Sequence, residues 1–80
     1  MKIPRDCRGA DLAKALCRLG YLQDRQTGSH IILTTQESGQ HHVTIPAHRA
    51  LKVGTLTDIL KEVAGHHKIT VQQLLEQLKL

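Results

Sequence analysis

Apolar residues first recur at helical spacing between residues 8 and 19. Leu12, Leu16 and Leu19 fall on one face there, with Ala13 and Ala15 beside it. Asp11, Lys14 and Arg18 share another face at spacings of three and four, so they can pair weakly and present charge to solvent. Gly20 stands where a helix C′ residue belongs. The period then shortens to two. Tyr21–Gln26 reads as a first strand, Ser29–Thr35 as a second and His41–Ile45 as a third. Thr27-Gly28 resembles a tight hairpin connection, and Ser38-Gly39 marks a second turn within Gln36–Gln40. In the second strand Ile31 and Leu33 point one way, while His30, Ile32 and Thr34 point the other. Val43 and Ile45 share a face of the third strand, with His42 and Thr44 opposite. A sheet with one buried face therefore takes Ile31, Leu33, Val43 and Ile45 into the core. It leaves His30, Thr34, His42 and Thr44 on an open face.

Pro46 ends the third strand, and Ala47–Gly54 reads as a loop carrying His48, Arg49 and Lys52. Thr55 is the expected N-cap of a helix over Leu56–Ala64, with Asp58 three residues on. Leu56, Ile59, Leu60 and Val63 form its apolar stripe, and Gly65 is expected to stop it. Thr70 opens a last helix with Gln73 at the capping-box position and a stripe of Val71, Leu74, Leu75 and Leu78. Residues 1–7 form a short arm in which Ile3-Pro4 reads as extended. The order helix, three strands, helix, helix predicts an antiparallel meander with the helices on one face. That is a two-layer α+β architecture in one domain over residues 1–80.

Composition adds three constraints. Tyr21 is the single aromatic residue, so the core has to be built from Leu, Ile, Val and Ala. Eleven Lys and Arg against seven Asp and Glu give a formal charge of +4, which favours a polyanionic partner such as a nucleic acid. No apolar run approaches the roughly 20 residues that span a bilayer, and the polar, basic start of the chain lacks the apolar segment of a signal peptide. A cytoplasmic protein with no membrane partner is expected. Cys7 and Cys17 fit no C-x-x-C pattern, and reduced thiols follow from that setting; Cys17 reads as a small helix residue. His41 and His42 point to opposite faces of a strand, so they cannot easily chelate one ion. His66 and His67 follow a helix end, where a histidine complements the dipole. With no H-E-x-x-H motif or Cys/His quartet, neither a metal site nor a cofactor is expected.

Four stretches resemble one family in its own order. They are Met1–Asp6 leading into Leu12, Leu16 and Leu19-Gly20-Tyr21; Arg25-Gln26-Thr27-Gly28-Ser29-His30, similar to an R-x-x-G-S-H signature; Thr44-Ile45-Pro46-Ala47-His48, similar to a strand-end V-P-x-H; and Gly54-Thr55-Leu56 with Ile59-Leu60-Lys61, similar to a G-T-L-x-x-I-L-K helix start. Together they span about residues 1 to 65, and they resemble the HicA toxins of bacterial toxin–antitoxin pairs. Two positions depart: Thr27 stands where many members carry a basic residue, and Ile31 where a polar or aromatic residue is common. The resemblance implies a double-stranded-RNA-binding-domain-like fold and an endoribonuclease that cleaves mRNA, inhibits translation and serves a stress response. It also implies neutralisation by a HicB-type antitoxin laid over the face carrying His30, and it places the family's catalytic histidine on His30.

Metal-free RNA cleavage uses the 2′-hydroxyl as an internal nucleophile on the adjacent phosphorus. Something must remove that proton, and something must protonate the leaving 5′-oxygen. A histidine titrating near pH 6.5 serves either step. Gly28 allows close backbone approach to a phosphate, Ser29 can orient a phosphate or the imidazole, and Arg25, Lys14 and Arg18 are candidates for backbone contacts. The second proton carrier is open between water and His42 across the strands. His48 reads as a structural residue bonding local backbone. From spacing alone, His30 is equally a surface strand histidine with no task. The competing functions are a non-catalytic double-stranded-RNA-binding-type module and a protein-interaction domain. The chain lacks the dense Lys cluster of the former.

Overall fold

Alternation along the middle of the chain becomes a three-stranded antiparallel sheet in the order β1-β2-β3, with β1 at Leu22–Thr27, β2 at His30–Thr35 and β3 at His41–Pro46. It is preceded by α1 (Gly9–Cys17) and followed by α2 (Val53–His67) and α3 (Val71–Leu78), which is the predicted α+β order α-β-β-β-α-α. The structure, a computed structural model, describes residues 3, 7–47 and 50–79. The expected extended Ile3-Pro4 and the structural reading of His48 depend on residues outside that set.

Register fixes which side chains share a face. Ile31 pairs with Ile45 and Leu33 with Val43, and all four are buried. Thr34 pairs with His42 and Ile32 with Thr44, so the opposite face is the open one. On the covered side α1 packs across all three strands, α2 packs on β3, and α3 packs on α2. Leu12, Leu16, Leu33, Ile45, Leu56, Leu60, Val63, Leu74 and Leu78 close the core, as the aliphatic composition requires. Tyr21 is as buried as any of them.

Two helix ends are settled by hydrogen bonds as expected. Gly20 has φ +105°, its N–H reaches the Cys17 carbonyl at 3.1 Å, and the Tyr21 N–H reaches the Leu16 carbonyl at 3.2 Å. That is the Schellman closure expected there. Thr70 caps α3 reciprocally: the Gln73 N–H donates to Thr70 Oγ1 at 3.0 Å, and the Thr70 N–H donates to Gln73 Oε1 at 2.9 Å.

Both ends of α2 differ from the expectation. Thr55 is not its N-cap. The helix starts at Val53 after an extended Lys52 that makes no side-chain cap. Leu51 explains the early start: it is buried, and its N–H is held by the Cys7 carbonyl at 2.8 Å, so the chain enters the helix directly from that anchor. Gly65 does not stop α2 either. The helix continues to His67 and closes on Lys68, which is left-handed at φ +58°, with the Ile69 N–H on the Ala64 carbonyl at 3.0 Å. A helical glycine costs about 1 kcal/mol relative to alanine. The contacts made by His66 and His67 just beyond it offset that cost, because both rings bond to other elements.

Candidate active site on the open sheet face

β1 has no buried side chain, and an extra residue, Asp24, is inserted between Gln23 and Arg25. The bulge shifts the alternation, so Leu22 (opposite Thr34), Arg25 (opposite Ile32) and Thr27 (opposite His30) all face the open side. Without it Leu22 would turn toward the helices, while Arg25 keeps the face of Thr27 and His30 by simple alternation from the hairpin. His30 opens the central strand on that same face. It is exposed, with Thr27 across from it on one side and Pro46 on the other. Directly opposed side chains stand about 5 Å apart, and diagonal neighbours about 7–8 Å. Arg25 is the diagonal neighbour of His30, within reach of one phosphate held between them.

Local structure around His30 follows from its neighbours. Gly28 and Ser29 form the two-residue hairpin loop between Thr27 and His30, with Gly28 at φ +55°. A positive φ followed by a negative one is the sign pattern of a type II′ connection, which favours glycine first. Open space surrounds Gly28, so backbone conformation rather than crowding selects the glycine there. The Ser29 carbonyl accepts from the Ala47 N–H at 2.6 Å, which extends the β2–β3 ladder one step past His30. Behind the sheet, Gly9 at the start of α1 lies directly on the backbone of Pro46, the pairing partner of His30. The histidine therefore stands on a braced corner of the sheet.

The other residues singled out in the sequence divide. Arg25, Gly28, Ser29 and His30 are brought together at one end of the open face. Lys14 on α1 and Arg18 just after it are exposed, and α1 packs on the other side of the sheet. Arg18 is committed elsewhere, its guanidinium donating to the Leu78 carbonyl at 2.7 Å at the end of α3. His42 does face the open side, but it pairs with Thr34, four residues along β2 from His30. At about 3.3 Å per residue that is roughly 13 Å. His42 is thus too far away to share one phosphodiester with His30.

A family model described as the HicA toxin of bacterial toxin–antitoxin matches residues 9–64, more than half of the 80-residue chain. The chain belongs to the HicA toxin family. No curated protein matches it. The matched segment runs from the first residue of α1 to within four residues of the end of α2. It contains the whole sheet, and so in this HicA toxin it includes Arg25, Gly28, Ser29 and His30. A toxin of such a pair has a cognate antitoxin as its partner. Among the described residues no helix is long and apolar enough to cross a membrane.

One group in this HicA toxin escaped the sequence reading. The Tyr21 hydroxyl lies 2.9 Å from His41 Nδ1 and 3.1 Å from His67 Nε2. His66 Nε2 lies 3.0 Å from the Glu37 carbonyl and 3.1 Å from that of Gly39. The His41 and His66 rings stack at 4.2 Å, and His41 Nε2 faces Glu62 Oε2 at 4.0 Å. A usable signal was present: the one aromatic residue carries a hydroxyl that burial obliges to find a partner, and histidines stand at the start of a strand and the end of a helix.

Proposed function

We propose that this HicA toxin is a metal-independent endoribonuclease that acts through a single domain over residues 1–80, cleaving mRNA and arresting translation and growth in the cytoplasm. One observation supports this most: in a member of a toxin family, an exposed histidine and an exposed arginine are diagonal neighbours on an uncovered sheet face. RNA carries its own nucleophile, so the reaction needs no ion to make one. His30 acts as general base on the 2′-hydroxyl, whose oxygen attacks the adjacent phosphorus as the bond to the 5′-oxygen breaks. The products are a 2′,3′-cyclic phosphate and a 5′-hydroxyl, the latter protonated by water or by the imidazolium that His30 has become. Arg25 neutralises the non-bridging oxygens, and the Gly28-Ser29 backbone permits close approach of the strand being cut. Lys14 and Arg18 contribute at most long-range attraction, since α1 lies behind the sheet.

A HicB-type antitoxin neutralises the toxin by occupying the face that carries His30. Expression of the wild-type chain alone arrests growth. Expression of His30→Ala at equal abundance does not, and co-expressed antitoxin restores growth to cells carrying the wild type. Arrest by a folded His30→Ala chain would remove His30 from the mechanism.

A further inference from the structure

We infer that Tyr21, His41, His66 and His67 form a proton-operated latch that ties the last turn of α2 to β3 and to the β2–β3 turn while its imidazoles are neutral, and lets them go when protons are taken up. It lies apart from the proposed cleavage site. His41 pairs with Thr35, five residues along β2 from His30, or about 17 Å at strand rise, and its ring is on the helix side of the sheet.

Counting donors and acceptors fixes the neutral arrangement. Glu62 on α2 faces His41 Nε2, so that nitrogen carries the hydrogen and Nδ1 accepts from the Tyr21 hydroxyl. The Tyr21 oxygen then accepts from His67 Nε2–H. His66 Nε2–H is shared by the Glu37 and Gly39 carbonyls, which holds a turn where Ser38 and Gly39 are both left-handed, at φ +57° and +96°. The Tyr21 hydroxyl, His41 Nδ1, His67 Nε2 and His66 Nε2 each have a hydrogen-bond partner, and His41 Nε2 faces the Glu62 carboxylate at 4.0 Å.

Protons disrupt this in steps. One proton on His41 Nδ1 turns the Tyr21 hydroxyl round to donate to His67 Nε2, and His67 moves its own hydrogen to Nδ1. That state is still satisfied. A second proton, on His67, sets two N–H donors against one buried hydroxyl whose hydrogen has no acceptor left. It also places cations on both sides of Tyr21, with the His66 ring stacked on one of them. The charged groups around the cluster do not remove the conflict. Glu62 and Glu37 favour protonation of His41 and His67 respectively. His42 on β3 and His66 on α2 oppose it, and Arg18, the residue that follows α1, lines the recess beside His67. Burial first, then the neighbouring imidazoles, holds His41 and His67 below the ordinary histidine range. Burial and Glu62 push the Tyr21 hydroxyl up to about 12, so it keeps its hydrogen throughout.

The test is a histidine ring titration by NMR on the full wild-type chain, together with amide hydrogen exchange between pH 7.5 and 5.0 corrected for intrinsic rates. The His41 and His67 rings are expected to titrate below free histidine. Protection of the Gly39 and Ile69 amides, which bond to the Gln36 and Ala64 carbonyls, should fall up to about tenfold per pH unit for each proton gained on opening, while the amides of β1 beside Arg25 hold steady. Tyr21→Phe keeps the ring and removes the shared partner, so the pH dependence at Gly39 and Ile69 should flatten. If that variant does not fold, the wild-type titration decides alone. Free-histidine titration of both rings, or pH-independent protection at Gly39 and Ile69, overturns the latch.

Discussion

Gly9→Ala should destabilise a protein in which the same change at Gly65 stabilises it, and the contrast follows from what each new methyl meets. A Cβ at Gly9 falls far inside the Pro46 carbonyl oxygen, with Pro46 C at 3.0 Å and Ala47 Cα at 3.2 Å. All three are backbone atoms of a segment hydrogen-bonded into the sheet, so none can swing aside as a side chain would. Replacing a helical glycine by alanine ordinarily gains up to about 1 kcal/mol. Overpacking against a fixed neighbour costs about 1–3 kcal/mol, and here displacement of α1 from β3 adds to it. A net loss of about 1–3 kcal/mol is expected, which in a domain of this size lowers Tm by roughly 5–20 °C. At Gly65 nothing lies within 4 Å, so Gly65→Ala should gain up to about 1 kcal/mol. Urea denaturation followed by far-ultraviolet circular dichroism reads both variants. A Gly9→Ala protein as stable as Gly65→Ala would show that α1 does not bear on Pro46 in solution, and with it would go the brace behind His30.

Three further outcomes are expected. Thr70→Ala removes the side-chain half of the α3 capping box and should cost about 1 kcal/mol in the same assay, with Thr70→Ser near wild type. Arg25→Gln should slow RNA cleavage markedly without changing stability, whereas His42→Gln should leave the rate nearly unchanged. Equal losses from the two would contradict the separation set by strand register. Stability should be full above about pH 6.5 and should decline as pH falls through that value, because unfolded histidines protonate there while His41 and His67, held lower by burial and each other, resist in the fold. Denaturation midpoints at pH 7.5, 6.5 and 5.5 check the sign, and a midpoint that rises on acidification would refute it.

Most of this architecture was legible because period and punctuation agree. The alternation in Ile31, Leu33, Val43 and Ile45 declares a half-buried sheet, and Gly20 and the Thr70–Gln73 pair mark helix ends through local hydrogen bonds that the chain carries with it. What was not legible depends on distant partners. Gly65 carries the local signal of a stop, yet Tyr21 and the Glu37 and Gly39 carbonyls hold the next two residues in the helix. Thr55 carries the signal of a cap, yet the anchored Leu51 starts the helix earlier. Strand alternation placed His30 and His42 on one face correctly but could not say how far apart they lie, because that depends on the register across the β2–β3 turn. The bulge at Asp24, which turns Leu22 to the face of His30, has no signature in the residues around it.

The central claim is that His30 performs the chemistry of an RNA-cleaving toxin. Its most direct test is cleavage of a defined single-stranded RNA by purified wild type and His30→Ala in the presence of EDTA, with circular dichroism on both proteins and analysis of the new ends. Wild type should cut and leave a 2′,3′-cyclic phosphate and a 5′-hydroxyl, while a folded His30→Ala protein loses at least about a hundredfold in rate, the lower bound for one positioned acid–base group. Equal cleavage by the two folded proteins would contradict the claim outright.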